Sequence, residues 1–216
     1  MKLLNSFGPN PRAVRMAMIE KGIEMPTEEH DLMGAENRGE AYTKKNPGGQ
    51  MPSLELDDGT VIAETTAICE YLDEIHPDKP LIGVNPLERA HTRQWIRRVE
   101  LAITEHMYNG FRYSDGIDLF RERLYCIPEA ADGLKAKARD AREWMDNLIA
   151  GRHYIAGDKL TFADIVLYCC MDFCKDVGQP LDSDLPNLDA WFKRMDSLPS
   201  ATASLHPGAS EVQMRG

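Results

Sequence analysis

The sequence lacks the patterns that mark membrane, metal-binding and disulfide-linked proteins. Its longest apolar run, residues 165–171, is too short to span a bilayer, and its first residues lack the apolar segment of a signal peptide. The five cysteines form no C-x-x-C pair and the six histidines form no H-E-x-x-H motif. We therefore expect a soluble, unexported, cytoplasmic protein with reduced cysteines and no metal site.

Positive charge is also scarce. The chain has 25 Lys and Arg against 35 Asp and Glu, a net charge of −10, which argues against a nucleic acid or an anionic membrane as partner. Apolar residues make up 43% of the 216 positions, enough to form the core of one large domain or two small ones.

A hairpin is the clearest local prediction. Asp58-Gly59 separates the alternating segments 53–56 and 60–63, which is the strongest short-range signal for two antiparallel strands. The preceding Pro52 cannot donate a hydrogen bond, so the backbone N–H and C=O of Met51 stay available to an extended ligand. A cis peptide is also least costly before proline.

A helix is predicted directly after the hairpin. Ile68, Leu72 and Ile75 recur at helical spacing, and the helix opens at Glu64 and Thr65. The free N–H groups of a helix N-terminus suit a carboxylate, and the Glu64 side chain suits an ammonium group. Loop, hairpin and helix together could hold a peptide-like anion.

This stretch resembles the glutathione-binding half of the cytosolic glutathione transferases. The matching residues are Asn46-Pro47-x-Gly49-Gln50-Met51-Pro52-x-Leu54, Asp58-Gly59 and Glu64-Thr65-x-x-Ile68-x-x-Tyr71-Leu72. The resemblance implies that Pro52 is cis and that the backbone of Met51 pairs with the cysteinyl part of glutathione. It further implies that Glu64 and Thr65 hold the γ-glutamyl end, with Gln50 near the glycyl end.

The resemblance also supplies the fold. Residues 1–76 would form a thioredoxin-like α/β N-terminal domain, with strands at 2–6 and 24–32 besides the hairpin. The proline-rich segment 77–86 is predicted to be a linker, and 87–216 an all-α C-terminal helical domain. Its long first helix should run from Leu87 to about Tyr113, with Ala90 among the inward residues.

Further helix limits follow from capping signals. Asn10 followed by Pro11 predicts the cap of a helix that stops at Gly22. Thr161 and Asp164 predict a capping box, and the stretch around them is also a hallmark of the same family. A last long helix is expected over 187–198.

The group that would activate glutathione departs from the common family pattern. A thiol has a pKa of about 8.5, and lowering it by two units needs roughly 2.7 kcal/mol of thiolate stabilisation. Gly8 stands where the resemblance implies Ser or Cys, which excludes the cysteine chemistry of the omega and beta classes there. Asn10 and Ser6 remain as candidates.

Asn10 resembles the first-loop Asn of nu-class and etherase-type bacterial transferases. Its Oδ1 would cap the helix while its Nδ2 donates to sulfur. Ser6 could serve as donor or simply as a turn residue. Arg12 and Arg15 would add positive charge near the site or lie on a solvated helix face.

We expect the substrate pocket beside Tyr108, Phe111 and Tyr113. The leading function is glutathione transfer to a small hydrophobic electrophile, as in detoxification or in a thioether-forming or ether-cleaving catabolic step. The alternatives are a glutathione-dependent disulfide reductase and a non-catalytic glutathione-binding module. The long helix and the family resemblance both favour a homodimer.

Overall fold

The computed structural model describes residues 1–211 and 215–216. A four-stranded sheet forms the N-terminal part, in the order β2-β1-β3-β4. Its strands are β1 (Lys2–Asn5), β2 (Thr27–Glu29), β3 (Ser53–Glu55) and β4 (Val61–Ala63). β1 pairs with β2 in parallel and with β3 antiparallel, and β3 pairs with β4 as the predicted hairpin. The predicted thioredoxin-like arrangement is confirmed.

Ten α-helices lie within the described residues. They are α1 (Pro9–Lys21), α2 (Glu40–Thr43), α3 (Thr65–Ile75), α4 (Pro86–Val99), α5 (Glu105–Arg112), α6 (Ile117–Phe120), α7 (Ala131–Leu148), α8 (Phe162–Cys174), α9 (Pro186–Asp196) and α10 (Pro199–Ala203). The C-terminal part is helical, as predicted. In the part of the chain so described, no helix is both long and apolar enough to cross a membrane.

Helix α1 begins two residues earlier than the sequence indicated. Gly8 is its N-cap, and the Arg12 N–H donates to the Gly8 carbonyl at 3.1 Å. The prediction that Asn10 caps the helix is therefore wrong. Gly8 has φ 128°, a conformation open to glycine, and Pro9 presets the backbone for the first helical position. The predicted stop at Gly22 is confirmed by its left-handed φ of 71°.

Strand β2 is shorter than the predicted 24–32. The chain turns at Asp31, whose Oδ1 accepts from the Gly34 N–H at 2.8 Å and whose carbonyl accepts from the Glu36 N–H at 3.0 Å. These bonds direct the chain away from the sheet edge and into a loop.

The long helix follows a continuous path from α4 to α5 through a π-helical segment, Glu100–Thr104. Its buried face runs through Ile96, Val99 and Ile103, whereas Ala90 is exposed, contrary to the prediction. Ala90 is exposed because its position on the 3.6-residue helical repeat falls outside the apolar stripe that Ile96, Val99 and Ile103 form. The π segment places an extra residue in the turn that faces the N-terminal part, and such turns are frequent at functional sites.

Helix α8 is buried along its whole length and carries the predicted capping box. The Thr161 N–H and hydroxyl donate to Asp164 Oδ2 at 2.9 and 2.8 Å. Asp164 Oδ1 accepts from Trp191 Nε1 at 2.9 Å, so the cap also fixes α9. This buried carboxylate thus links the start of α8 to α9.

Arg12 and Arg15 connect α1 to the helical part. Arg12 is fully buried, and its guanidinium donates to the Asp172 carboxylate and, at 2.8 Å, to the Ala201 carbonyl. Arg15 donates to the Ser204 carbonyl at 2.9 Å, and burial lowers the pKa of Arg15 to about 10. The interpretation that these two arginines lie on a solvated helix face is therefore wrong.

Candidate active site

A cleft of about 810 Å³ lies between the sheet part and the π-helical turn. One wall carries the predicted binding residues, which are Gln50, Met51, Pro52, Glu64 and Thr65, together with Asn10. The opposite wall is formed by α4, the π segment and α5, including Thr104 and Tyr108. The fold thus brings residues that are up to 55 positions apart in the chain, Asn10 and Thr65, to one wall of the cleft.

The backbone at Met51 combines a cis peptide with polar groups that have no partner among the described residues. The Met51-Pro52 peptide is cis, in agreement with the resemblance. Tyr42 Oη and Asn46 Nδ2 donate to the Gln50 carbonyl at 2.7 and 2.8 Å and so fix the preceding turn. Among the described residues, none hydrogen-bonds to the backbone N–H or C=O of Met51. Those groups remain open to the cleft.

Glu64 sits at the N-terminus of α3 in an uncommon conformation. Its φ is 71°, in the range that side-chain-bearing residues rarely adopt. Such strain collects at functional sites. Because the first helical bond runs from the Ile68 N–H to the Glu64 carbonyl at 2.9 Å, the N–H groups of Thr65 and its two successors have no partner within the helix. A carboxylate and a positive helix end therefore face one cleft.

Asn10 faces the same cleft from the first turn of α1. Its Oδ1 accepts a hydrogen bond from the Tyr108 hydroxyl at 3.3 Å instead of capping the helix. Burial raises the pKa of Tyr108 well above its usual value, so its hydroxyl keeps the proton that it donates to Asn10. The amide oxygen of Asn10 thus accepts from Tyr108, and among the described residues Nδ2 has no hydrogen-bond partner and can donate to a ligand.

The backbone around Asn10 adds a second donor. Pro9 and Pro11 have no N–H, and the Arg12 N–H is bonded to Gly8. Asn10 is thus the residue of this first turn that can offer both a backbone and a side-chain N–H. The positive end of the α1 dipole lies at the same place.

A smaller cavity of about 90 Å³ adjoins the cleft, and Asn10, Gln50, Met51, Tyr108 and Arg112 line both. Its apolar wall includes Phe7, Leu32, Phe111, Phe120 and Phe173. Phe111 makes edge-to-face contacts with Phe120 and Phe173, with ring centroids 5.9 and 5.3 Å apart. The cavity suits a flat apolar group next to Asn10.

Two family models match the sequence. The model of the glutathione S-transferase N-terminal domain matches residues 7–75, and that of the C-terminal domain matches residues 127–199. Glutathione S-transferase 2 of Saccharomyces cerevisiae is 30% identical over 200 residues, which cover 89% of this chain and 84% of that protein. The chain is a member of the cytosolic glutathione S-transferase superfamily.

Solved structures agree with that assignment. The crystal structure of a glutathione S-transferase domain-containing protein from Marinobacter aquaeolei VT8 has a TM-score of 0.87 at 33% identity, covering 93% of this chain and 99% of that one. The crystal structure of Gtt2 from Saccharomyces cerevisiae has a TM-score of 0.88 at 32% identity, covering 95% and 100%. Both support a glutathione S-transferase.

Three other sequence candidates lie away from the transferase cleft. Ser6 is buried, and its hydroxyl donates to the His30 carbonyl at 2.7 Å. Ser6 lines neither the cleft nor the adjoining cavity, and neither do Arg12 and Arg15. Of the expected substrate pocket, Tyr108 and Phe111 line the adjoining cavity, whereas Tyr113, which follows α5, lines neither cavity.

Cys69, Cys169 and Cys170 are buried thiols that resist losing a proton. Burial raises the pKa of Cys69 and Cys170 well above the usual value and that of Cys169 to about 12. No cysteine of the described residues lines the cleft.

Sequence reasoning missed most of the adjoining cavity. Leu32, Arg38, Phe120 and Arg123 lie in loops or in one-turn helices too short to show hydrophobic periodicity, so nothing local marked them. Arg112 was within the expected aromatic stretch but carried no distinguishing signal.

Proposed function

We propose that this transferase binds glutathione in the large cleft and stabilises its thiolate with Asn10, for attack on a small electrophile in the adjoining cavity. The observation that carries the proposal is the convergence of the open Met51 backbone, Glu64 and the free amide of Asn10 on one wall. Their chemistry corresponds to the parts of one tripeptide, which has a peptide backbone, an amino-acid head and a sulfur.

Each part of glutathione has a chemical counterpart. Glu64 would take the γ-glutamyl ammonium, and the N–H groups at Thr65 would take its carboxylate. The Met51 backbone would pair with the cysteinyl residue as a strand does, with cis Pro52 shaping the turn. Gln50 would lie at the glycyl end.

Asn10 acts by donating hydrogen bonds. A hydrogen bond to a charged group contributes about 1.5 to 3 kcal/mol, so its side-chain and backbone N–H groups suffice for roughly 2.7 kcal/mol of thiolate stabilisation. The thiol proton goes to solvent. The thiolate then forms a C–S bond with the electrophile, whose leaving group departs with its electron pair.

Glutathione-dependent disulfide reduction is the second candidate. It is favoured by the absence of a chain thiol among the cleft-lining residues, since two glutathione molecules would then carry the exchange. The purified protein should be assayed with glutathione and chlorodinitrobenzene, and separately with a mixed disulfide of glutathione. Turnover of the first supports the transferase, turnover of only the second supports the reductase, and binding without either leaves a non-catalytic module.

We further propose a cytoplasmic homodimer with domains at 1–76 and 87–216 joined by the 77–86 linker. Leu87 at the start of the long helix is 67% exposed, and a partner could cover it in a two-fold contact. Light scattering should give twice the chain mass. A concentration-independent monomer mass would exclude the dimer.

A further inference from the structure

Three arginines surround the cavity beside Asn10. Arg38 comes from the turn before α2, Arg112 is the last residue of α5, and Arg123 follows α6. Because the three arginines come from separate segments, it is the fold that brings them to one cavity, and no run of basic residues in the sequence does so.

Within the part of the chain that the structure describes, these arginines have only neutral partners. Arg123 donates to the carbonyls of Leu32 and Met33 at 2.7 and 2.8 Å. Arg112 donates to Asn109 Oδ1 at 3.1 Å. The nearby Arg121 is different, because it pairs with Asp118 at 2.6 Å.

Arg38 shows the lack of a counter-ion most directly. Its guanidinium reaches the Gly48 carbonyl at 3.3 Å, and its Nε is buried without a partner among the described residues. Burial lowers the pKa of Arg38, and the charges of Arg123 and Arg112 lower it further. Like charges grouped beside an apolar cavity, in a chain of net charge −10, are unfavourable unless an anion joins them.

The remaining walls define the rest of the ligand. The Arg112 guanidinium lies over the rings of Tyr108 and Phe120, 5.7 and 5.6 Å from their centroids, and so presents a flat face. Phe7 and Phe111 add apolar surface, and Asn10 borders the same space. A flat ring would fit beside the thiolate, with an attached anionic group towards the arginines.

We propose that the acceptor of this transferase is an aromatic electrophile that carries a carboxylate, and that Arg112 and Arg123 bind that carboxylate; this assignment rests on the proposed transferase function. Arginine suits the task because its planar fork matches a carboxylate. Arg38 adds positive charge to the same space. The carboxylate draws the ring into the cavity and leaves the electrophilic carbon facing the sulfur.

The first test measures binding without chemistry. The protein is loaded with S-methylglutathione, which has no thiol, and titrated by calorimetry with dinitrobenzoate and with the neutral dinitrobenzamide. We expect the benzoate to bind about tenfold more tightly. Arg112→Gln and Arg123→Gln should each remove most of that preference, Arg112→Lys should keep part of it, and the control Arg121→Gln should keep all of it.

Binding of the neutral amide shows whether the cavity survives each substitution. Arg123→Gln also removes hydrogen bonds to the 31–33 loop and could therefore disturb the cavity. If this variant binds the neutral amide more weakly, the result for Arg112→Gln decides whether the arginines bind the carboxylate. Equal affinity of the two probes in the unmodified protein, or an unchanged preference in Arg112→Gln, overturns the inference. The inference is also wrong if these variants bind S-methylglutathione more weakly but keep the preference for the benzoate, because the arginines would then bind the glycyl carboxylate of glutathione.

The second test uses turnover, with chlorodinitrobenzoate and chlorodinitrobenzamide as acceptors. In each, the C–S bond forms and chloride leaves with its electron pair. We expect a higher kcat/KM for the benzoate, lost in Arg112→Gln. Turnover of neither acceptor, with the binding preference intact, would refute the proposed transferase function and leave the anion site standing.

Discussion

Tyr108 donates a hydrogen bond from its hydroxyl to Oδ1 of Asn10 across 3.3 Å. This bond joins α5 to the first turn of α1 over the cleft. Because Oδ1 of the amide accepts from Tyr108, the other side of the amide, Nδ2, is the side that can donate to a ligand. Tyr108 is thus a positioning residue for Asn10.

Tyr108→Phe should keep the aromatic ring but remove the hydroxyl that orients the Asn10 amide. Asn10 Oδ1 would no longer be held, so we expect the pKa of bound glutathione to rise and turnover to fall roughly two- to tenfold, as from about 0.5 to 1.5 kcal/mol. The thiolate absorbance titration is made without acceptor, which separates this effect from Tyr108's contact with the second substrate. An unchanged titration would mean that Tyr108 does not position Asn10.

Glu64→Ala should weaken glutathione binding by about 1 to 3 kcal/mol, because the γ-glutamyl ammonium would lose its charged partner. Glu74→Ala, an exposed carboxylate further along α3, is the matched control. Glu64→Gly separates backbone strain from ligand binding. Glycine adopts a positive φ without strain, so this variant should raise the folding stability while still weakening glutathione binding. Calorimetry that shows full affinity in Glu64→Ala would remove this residue from the site.

Acid should weaken the contact between the two parts of the chain. Burial by itself would raise the pKa of Asp172, but Arg12 and Lys175 hold that pKa below its usual value. The carboxylate's stability contribution is therefore complete above its unfolded pKa of about 3.9 and is lost as the pH falls through the lower folded value.

Denaturant unfolding from about pH 5 downwards checks this contribution. Asp172→Asn should lower stability at neutral pH by roughly 3 to 5 kcal/mol, since Arg12 would stay buried without a charge partner, and should flatten the acid dependence. Asp140→Asn, an exposed carboxylate on α7, should change neither. An acid slope in Asp172→Asn equal to that of the parent protein would contradict the assignment.

The success of sequence reasoning depended on how local each cause was. Asp58-Gly59, Gly22 and the Thr161 capping box are set by a few neighbouring residues, and the structure confirms all three. Asn10 was misread as a cap because Asn-Pro is a common helix start, whereas Gly8 and Pro9 form a competing start two residues earlier.

Features that arise only from tertiary packing were out of reach. Arg38, Arg112 and Arg123 are more than 80 positions apart at their extremes, and no local pattern indicates that they meet. The Tyr108 bond to Asn10 spans 98 positions. Ser6 could not be separated from Asn10 as thiol donor until its hydrogen bond to His30 was visible.

A thiolate absorbance titration of the bound glutathione in Asn10→Ala and Asn10→Asp measures whether Asn10 Nδ2 stabilises the glutathione thiolate. Because Gly8 caps α1, folding stability should survive both changes. Asn10→Ala should raise the pKa of the bound thiol and lower turnover roughly tenfold for every 1.4 kcal/mol lost. Asn10→Asp should raise that pKa further, since it places an acceptor-only negative charge beside sulfur. Normal turnover with an unchanged titration in Asn10→Asp would contradict the account and assign the donor role to a backbone N–H of the first loop.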